Sequence, residues 1–463
     1  MQDALSQAAS LKGKSNCPRI LLAMPPGVAN CRQPHLGLGI LGALLRNAGF
    51  NPLVVDYSYI GSLPAIERFV EVFEPGLFGV SVFSQNLHNT ERFIDRLYKS
   101  NPGAPIILGG PHVTLADDKA IADISGRPGV VTIVRGEAEE KIVDIVKNVL
   151  SKNARGIDAC EPVSLGNNCW PAFDLVAGLT DLQTYPMQLS RGCPHRCVFC
   201  NISKLSGRKY RVRPIEDCIN EIEEAVSRFP ETEYIKITDD APNCLPDRLE
   251  TFLGQYISRG FRPKMEIMQL RADKLTLNMC KLLKKAGAPY VVLGVESADP
   301  RVFASIRKGE TLEEIERACG FVKACDIPLV LCFVLGLPGA TVQNDRVSLK
   351  FAQRMAPVHC YWNVAQPMPG TEMYTYFQNN GTIYTENAMD TSSLEGGCNA
   401  DTPEYPKLER LRMQLIAQAT TNEIPWIPLG MLNRCLSLGV FLRVVRAFLS
   451  QRPKVPRGVP RRW

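Results

Sequence analysis

Short apolar runs alternate with longer segments of helical spacing along the first third of the chain. The runs predict strands at residues 19–23, 52–55, 77–83, 105–108 and 130–134. Apolar residues that repeat every three or four positions predict helices between them, including 36–48, 90–99 and 138–150. Because strands and helices alternate, we expect an α/β, doubly wound (Rossmann-like) parallel sheet, which binds ligands at the carboxyl ends of its strands.

The same alternation returns after a less regular stretch. It predicts strands at residues 187–190, 233–238, 264–268, 290–294, 328–335 and 358–364, with helices between them and a last helix at 408–420. Such β/α units predict a parallel barrel or a partial (β/α)6 barrel. We therefore expect an N-terminal tail (1–18), the doubly wound domain (19–155), a linker (156–182), the barrel (183–375) and a helical C-terminal segment with a basic tail (376–463).

Composition adds a local charge feature to this picture. The chain has 463 residues, enough for two or three domains, and a net charge of +6. Much of the excess lies in a C-terminal run without an acid, namely Arg443, Arg446, Arg452, Lys454, Arg457, Arg461 and Arg462. A short tail of this kind does not predict a nucleic-acid partner. A basic amphipathic helix at 436–449 can instead contact a membrane surface, or dock on the barrel with its basic face in solvent.

The distribution of apolar residues also bears on the compartment. The first nineteen residues lack the apolar core of a signal peptide. No run of about twenty uninterrupted apolar residues predicts a membrane span. We therefore expect a cytoplasmic protein, in which clustered cysteines are metal ligands more often than disulfides.

Three of the sixteen cysteines lie close together after the first barrel strand. Cys193, Cys197 and Cys200 have the spacing C-x3-C-x2-C. Three soft thiolates at this spacing suit three irons of one cubane cluster and leave the fourth iron without a protein ligand. S-adenosylmethionine (SAM) can chelate such an open iron through its amino and carboxylate groups. A zinc site is the alternative, but zinc usually takes four ligands in two pairs, and no second pair lies nearby.

The cysteine motif and the barrel pattern together resemble the radical SAM superfamily. The resemblance implies a 4Fe-4S cluster, SAM as a cofactor, and SAM contacts at the strand ends. It places these contacts at Phe199, Asp239, Asp240, Gln269, Arg271, Glu296, Ser297 and Gly336. One departure is that Asp239-Asp240 stands where Gly-Gly-Glu is common in the family.

A doubly wound domain before such a barrel resembles the cobalamin-binding class of radical SAM enzymes. The resemblance implies cobalamin between the two domains. The loops that carry it contain His35, Leu36, Gly37, Ser84, Gln85, Gly109, Gly110, Pro111, Gly136 and Glu137. The chain lacks the Asp-x-His-x-x-Gly motif of other cobalamin proteins, so His35 is either a cobalt ligand or a loop and packing residue.

Two further patterns have competing interpretations. Gly37-x-Gly39-x-x-Gly42 matches a dinucleotide fingerprint, but these glycines fall inside a predicted helix and not at a strand–helix turn. Cys319, Cys325 and Cys332 are candidates for an auxiliary cluster, but burial of small apolar side chains explains them more simply.

The resemblance implies an enzyme that reductively cleaves SAM and methylates an unactivated carbon of a natural product, lipid or tetrapyrrole through methylcobalamin. It also implies a low-potential electron donor such as flavodoxin or ferredoxin. An alternative within the class is cyclisation, oxidation or rearrangement without methyl transfer. A non-catalytic iron–sulfur protein is a third possibility, but its cluster needs four protein ligands. No catalytic side chain beyond the cofactor contacts is predicted.

Overall fold

The computed structural model describes residues 2–13, 17–27, 33–119, 121–151, 156–166, 169–384 and 398–421. The predicted helix at 436–449 and the basic tail lie outside the described residues. Among the helices within these ranges, none has the length and apolar character needed to cross a membrane.

A six-stranded parallel sheet forms the first domain. Its strands are β1 Arg19–Met24, β2 Asn51–Asp56, β3 Leu77–Ser81, β4 Ile106–Gly109, β5 Val130–Gly136 and β6 Gly156–Cys160, in the order β2-β1-β3-β4-β5-β6. Its helices are α1 Gln2–Gly13, α2 Leu36–Asn47, α3 Ile66–Phe73, α4 Leu87–Ser100, α5 Pro111–Leu115, α6 Ala122–Ser125 and α7 Ile142–Leu150. The predicted doubly wound α/β class is confirmed.

Two parts of the first domain differ from the sequence-based division. The predicted tail 1–18 contains α1, which packs against α3 and buries Ala4 and Ala8. The predicted linker begins with β6, which pairs with β5. The sequence concealed both elements because the fully buried residues of α1 are alanines and β6 is an exposed edge strand.

Six parallel strands form the second domain, in two sheets of three. They are β7 Thr184–Met187, β10 Tyr234–Ile237, β11 Lys264–Ile267, β12 Val291–Glu296, β13 Leu329–Leu335 and β14 His359–Val364. A bridge between Leu270 and Leu293 joins β11 to β12, so the order β7-β10-β11-β12-β13-β14 curves into a partial barrel. A two-stranded antiparallel ribbon, β8 Ser190–Arg191 and β9 Arg211–Val212, flanks the cysteine loop.

Helices alternate with the strands of the second domain. They are α8 Ile202–Leu205, α9 Ile215–Arg228, α10 Pro246–Ser258, α11 Leu277–Lys285, α12 Pro300–Ser305, α13 Leu312–Ala324, α14 Val342–Met355 and α15 Glu372–Asn380. A short ribbon follows, β15 Thr382–Ile383 and β16 Ala400–Asp401, and then α16 Lys407–Thr421, which packs on β14 and α14.

One hydrophobic core extends across both domains. Alternate residues of β1 face opposite sides of the sheet: Ile20 and Leu22 belong to the core shared with the barrel, and Leu21 and Ala23 to a separate core on the other side. Because the shared core is continuous, the carboxyl ends of the first sheet are held in a fixed position beside the barrel.

Candidate functional site

The cysteine loop follows β7 and is anchored by backbone hydrogen bonds. Val198 N donates to Ile306 O (3.1 Å), and Met373 N donates to Val198 O (3.0 Å). Gly192 has φ +86°, and a Cβ at this position would lie 2.4 Å from Lys209 O, so the turn into the loop requires glycine. The loop is therefore held by the turn after α12 and by the first turn of α15.

Cys193, Cys197 and Cys200 are partly exposed and line one cavity of about 120 Å³. Among the described residues, no three His, Cys, Asp or Glu side chains converge as a site for a single metal ion. In a cubane each thiolate binds a different iron. Three thiols on one loop around one cavity fit three irons of such a cluster.

A fourth thiol contacts the triplet. A hydrogen bond from Cys244 lowers the pKa of Cys193 to about 7, while burial raises the pKa of Cys197 to about 11. Cys244 lies in the loop after β10. Its spacing relates it to no other cysteine, so the sequence alone does not predict this contact.

Asp239 and Asp240 follow β10 and have different environments. Asp239 is 1% exposed and accepts hydrogen bonds from Leu189 N (2.8 Å) and the Ser190 hydroxyl. Burial raises its pKa to about 7. Asp240 accepts a hydrogen bond from Gly192 N (2.9 Å) and borders a larger cavity. Both carboxyl groups thus tie the end of β10 to the chain around the cysteine loop.

Gln269 and Arg271 follow β11. Gln269 has φ +61°, a left-handed conformation that is uncommon for residues other than glycine. Arg271 is 7% exposed, and its guanidinium donates to Asp273 Oδ1 (2.9 Å), Lys308 O (3.1 Å) and Gly309 O (3.2 Å). The predicted residues lie at the expected strand end, but Arg271 has protein partners.

Glu296 ends β12 at a bulge and belongs to a buried charge cluster. It also has a left-handed backbone, with φ +64°. Lys308 Nζ lies 3.2 Å from Glu296 Oε1 and 3.3 Å from Glu310 Oε2. Burial acts to lower the pKa of Lys308, but these two carboxylates outweigh it and raise that pKa. Sequence spacing does not point to Lys308 or Glu310, which lie in the turn between α12 and α13.

The remaining predicted SAM residues differ in exposure. Ser297 is fully buried and accepts a hydrogen bond from Asp299 N (3.3 Å). Gly336 follows β13 with φ +70°, and its carbonyl accepts a hydrogen bond from Arg410 of α16. Phe199 is partly buried against the shared core.

A cavity of about 630 Å³ lies between the carboxyl ends of the first sheet and the barrel. The first domain contributes eight of the predicted cobalamin residues to its lining: His35, Leu36, Gly37, Gly109, Gly110, Pro111, Gly136 and Glu137. The barrel contributes Gln188, Arg191, Ser206, Thr238 and Asp240. Ser84 and Gln85 are not part of this lining. The Ser84 hydroxyl instead lies 2.9 Å from Nδ1 of His112.

The contacts of His35 favour the packing interpretation. Its Nδ1 accepts a hydrogen bond from Leu38 N (3.1 Å) and caps α2, and its Nε2 lies 3.4 Å from the Ser81 hydroxyl. Burial lowers its pKa. Both ring nitrogens therefore have neighbours within the fold. The glycines of the dinucleotide-like pattern lie within α2, as the helical spacing indicated.

A buried ion-pair network joins the two domains beside this cavity. Glu137 contacts Arg211 (2.6 Å) and Arg191 (3.3 Å), and Arg191 also contacts Glu139 (2.6 Å). Glu137 further accepts a hydrogen bond from Val163 N (2.8 Å). Since Arg191 lies two positions before Cys193, this network connects the cavity wall to the cysteine loop.

The candidates for an auxiliary cluster do not come together. Cys319 is buried in α13 and Cys332 lies within β13, and burial raises the pKa of both thiols to about 12. In the part of the chain that the structure describes, these cysteines and Cys325 form no metal-binding group. The packing interpretation fits their positions.

Comparison with known protein families gives two matches. The B12 binding domain model matches residues 28–146, and the Radical SAM superfamily model matches residues 187–352. The two matched regions correspond to the first domain and to most of the barrel.

Several curated proteins are similar over most of the chain. An uncharacterized methyltransferase of Pyrococcus horikoshii is 24% identical over 81% of this chain and 87% of its own length. The hopanoid C-3 methylase of Methylococcus capsulatus is 27% identical over 74% of this chain and 68% of its own. The anaerobic magnesium-protoporphyrin IX monomethyl ester cyclase of Cereibacter sphaeroides is 23% identical over 76% of this chain, which spans 61% of the cyclase.

Solved structures share the fold. The radical S-adenosylmethionine methyltransferase TsrM of Kitasatospora setae aligns with a TM-score of 0.72 at 14% identity, covering 94% of this chain and 95% of TsrM. The cobalamin-dependent S-adenosylmethionine radical enzyme OxsB aligns with a TM-score of 0.60 at 19% identity, covering 78% of this chain and 55% of OxsB.

Proposed function

Because this chain belongs to the cobalamin-binding radical SAM enzymes, we propose that it cleaves SAM reductively and methylates an unactivated carbon of a small molecule. The observation that carries this proposal is the position of Asp240. This residue borders the cavity between the domains and also accepts a hydrogen bond from Gly192, next to Cys193. One side chain thus contacts the cysteine loop and the larger cavity.

The cofactors supply the difficult chemistry. When bound, the 4Fe-4S cluster provides the electron that cleaves SAM, and cobalamin carries the methyl group. We assign cluster ligation to Cys193, Cys197 and Cys200. The interdomain cavity is assigned to cobalamin, because small residues at the ends of β4 and β5 allow a large ligand to approach the backbone closely.

We assign SAM binding to the strand ends around the cysteine loop. Gln269 and Glu296 both have left-handed backbones at neighbouring strand ends, a type of local strain that clusters at functional sites. Arg271 and Lys308 form ion pairs there, Arg271 with Asp273 and Lys308 with Glu296 and Glu310, which hold the polar side chains of this region in place. Asp240 is the better candidate of the acidic pair, since Asp239 is fully engaged in holding the chain after β7.

Relatives guide the choice of reaction. The hopanoid C-2 and C-3 methylases and a bacteriochlorophyllide d C-12(1)-methyltransferase favour a lipid or tetrapyrrole as the methyl acceptor, with a natural product as a third class. The magnesium-protoporphyrin cyclases support a second candidate, cyclisation without methyl transfer. We favour methyl transfer over cyclisation because the Pyrococcus methyltransferase aligns over 87% of its own length, whereas the Cereibacter cyclase aligns over 61% of its own.

A spectrum and a product analysis test this proposal together. Protein purified without oxygen is expected to show absorption of both a 4Fe-4S cluster and cob(II)alamin. With SAM, a reductant and candidate acceptors, it is expected to form 5′-deoxyadenosine and a methylated product. Deoxyadenosine with an altered but unmethylated acceptor would favour the cyclisation candidate. A cluster spectrum with no cobalamin uptake would contradict methyl transfer.

A further inference from the structure

Basic side chains are concentrated in the segment that contains the cluster cysteines. Residues 191–214 include seven arginines and lysines and no aspartate or glutamate. Three of the seven are mostly buried and neutralised: Arg191 by Glu139 (2.6 Å), Arg211 by Glu137 (2.6 Å) and Arg213 by Asp217 (2.6 Å). The charges of these three arginines are therefore compensated within the fold.

The other four are exposed, and we call them the rim cations: Arg196, Lys204, Arg208 and Lys209. None of them forms an ion pair within the described ranges of the chain. Arg196, Lys204 and Arg208 border the cavity that the three cluster cysteines line.

The acidic neighbour of this cavity does not offset the rim cations. Glu372 also borders the cavity, but it is paired with exposed Arg307. The surface around the cysteine loop therefore keeps an excess of positive charge. Like charges that lie close together repel one another and destabilise a fold slightly. A partner of opposite charge neutralises this repulsion when it binds.

Electron transfer gives this surface a physical use. Electrons must reach the cluster from outside the protein, and the cysteines are partly exposed at the centre of the rim cations. Complementary charge on two surfaces raises the association rate and fixes the orientation of weak, transient redox complexes.

We propose that the rim cations are the docking surface for an acidic, low-potential electron-transfer protein. One electron leaves the donor, which is oxidised, and enters the cluster, which is reduced by that electron; no proton or bond is transferred. This inference rests on the proposed radical SAM function, and it adds where the reductant binds and which charges recognise it.

Two reductants separate docking from catalysis. Reduced flavodoxin serves as the acidic protein donor, and dithionite as a small reductant that needs no docking surface. The test protein carries Lys204→Glu, Arg208→Glu and Lys209→Glu. The control carries Arg346→Glu and Lys350→Glu on α14 and Lys281→Glu on α11, which reverses three exposed charges outside the cysteine loop.

The triple rim variant is expected to bind flavodoxin at least tenfold more weakly than wild type, as measured by calorimetry at low ionic strength. Its rate of flavodoxin-driven SAM cleavage is expected to fall in proportion. Basal activity is compared in Lys209→Glu, because Lys209 is the rim cation that does not border the cysteine cavity. The dithionite-driven cleavage and the iron content of this variant match those of wild type, and the control behaves as wild type with both reductants. In wild type, raising the salt concentration weakens flavodoxin binding, because exposed charges are screened.

Equal flavodoxin affinity in the rim variant and wild type would overturn the proposal. Binding of the rim to phosphatidylglycerol vesicles, with unchanged flavodoxin affinity in the variant, would also overturn it and assign the surface to a membrane. If the triple variant lost iron, Lys209→Glu alone tests the same point, because Lys209 does not border the cysteine cavity. Absence of dithionite-driven cleavage in wild type would instead reject the proposed radical SAM function.

Discussion

Arg410 Nη1 donates a hydrogen bond to Gly336 O (2.8 Å) across 74 positions of sequence. Arg410 is 1% exposed, and its guanidinium also donates to Tyr405 O (2.8 Å) and lies over the Phe377 ring. A Cβ on Gly336 would lie 2.4 Å from this guanidinium. The last described helix thus sets the shape of the turn after β13, one of the strand ends that we assign to SAM.

Replacing Arg410 with methionine is therefore expected to raise the KM for SAM several-fold with a smaller change in kcat. The turn loses its hydrogen bond, while the cysteine loop is unaffected. Arg410→Lys, which keeps a donor, should recover part of the affinity. SAM titration of the cluster EPR signal measures the effect apart from turnover, and a thermal melt identifies misfolded protein. An unchanged SAM affinity in folded Arg410→Met would contradict this role.

The cluster assignment predicts selective loss of iron. Cys193→Ala, Cys197→Ala or Cys200→Ala should each abolish the 4Fe-4S absorption and SAM cleavage, because a cubane held by two thiolates and an open iron is poorly retained. Cys319→Ala is the matched control, since this thiol is buried in α13 away from the loop. Iron analysis after anaerobic reconstitution distinguishes the three loop variants from this control. SAM cleavage that persists in all three loop variants would refute the assignment.

The ion pairs of Glu137 predict a loss of stability. Glu137→Gln leaves Arg191 and Arg211 without their shared carboxylate in a mostly buried position. Removing one partner of a buried pair lowers the free energy of unfolding by about 3–5 kcal/mol. Glu67→Gln, which disrupts the exposed pair with Arg96, should lower it by at most about 1 kcal/mol. Urea unfolding compares the two variants, and equal effects would contradict the role of Glu137 as a buried link between the two domains.

The contacts of His35 predict that its imidazole does not bind the cobalt of cobalamin. Because its Nδ1 caps α2 and its Nε2 lies near Ser81, the EPR spectrum of bound cob(II)alamin should lack the nitrogen splitting of a coordinated imidazole. His35→Asn keeps a helix-capping side chain and should leave that spectrum unchanged. A nitrogen splitting in wild type that disappears in the variant would establish His35 as the cobalt ligand instead.

Asp345 predicts a pH dependence of stability. It accepts a hydrogen bond from Gly336 N (3.0 Å), and burial raises its pKa from 3.8 to about 7. Between these values the folded state holds a proton that the unfolded state has lost, so the contribution of Asp345 to stability falls as pH rises from about 4 to about 7 and is constant above. Asp345→Asn should remove this component of the pH profile. Parallel profiles of the two proteins would contradict the raised pKa.

Hydrophobic patterning was sufficient to predict most of the fold, because buried strands and amphipathic helices carry strong periodic signals. The predicted end of the first domain at residue 155 falls before β6, because β6 is an edge strand with little apolar character. In the site, spacing identified the cysteines. It did not identify Lys308, Cys244 or Arg410, whose roles depend on contacts between loops that are distant in sequence. Asp239 was predicted by position alone, and only its burial reveals what it contacts.

Transfer of a labelled methyl group tests the central claim most directly, because it needs no knowledge of the acceptor. The protein is incubated anaerobically with a reductant and SAM that carries a trideuterated methyl group, and its cobalamin is then extracted for mass spectrometry. The account predicts trideuteromethylcobalamin together with 5′-deoxyadenosine. Cobalamin that remains unlabelled while deoxyadenosine accumulates, or protein that binds no cobalamin, would contradict it.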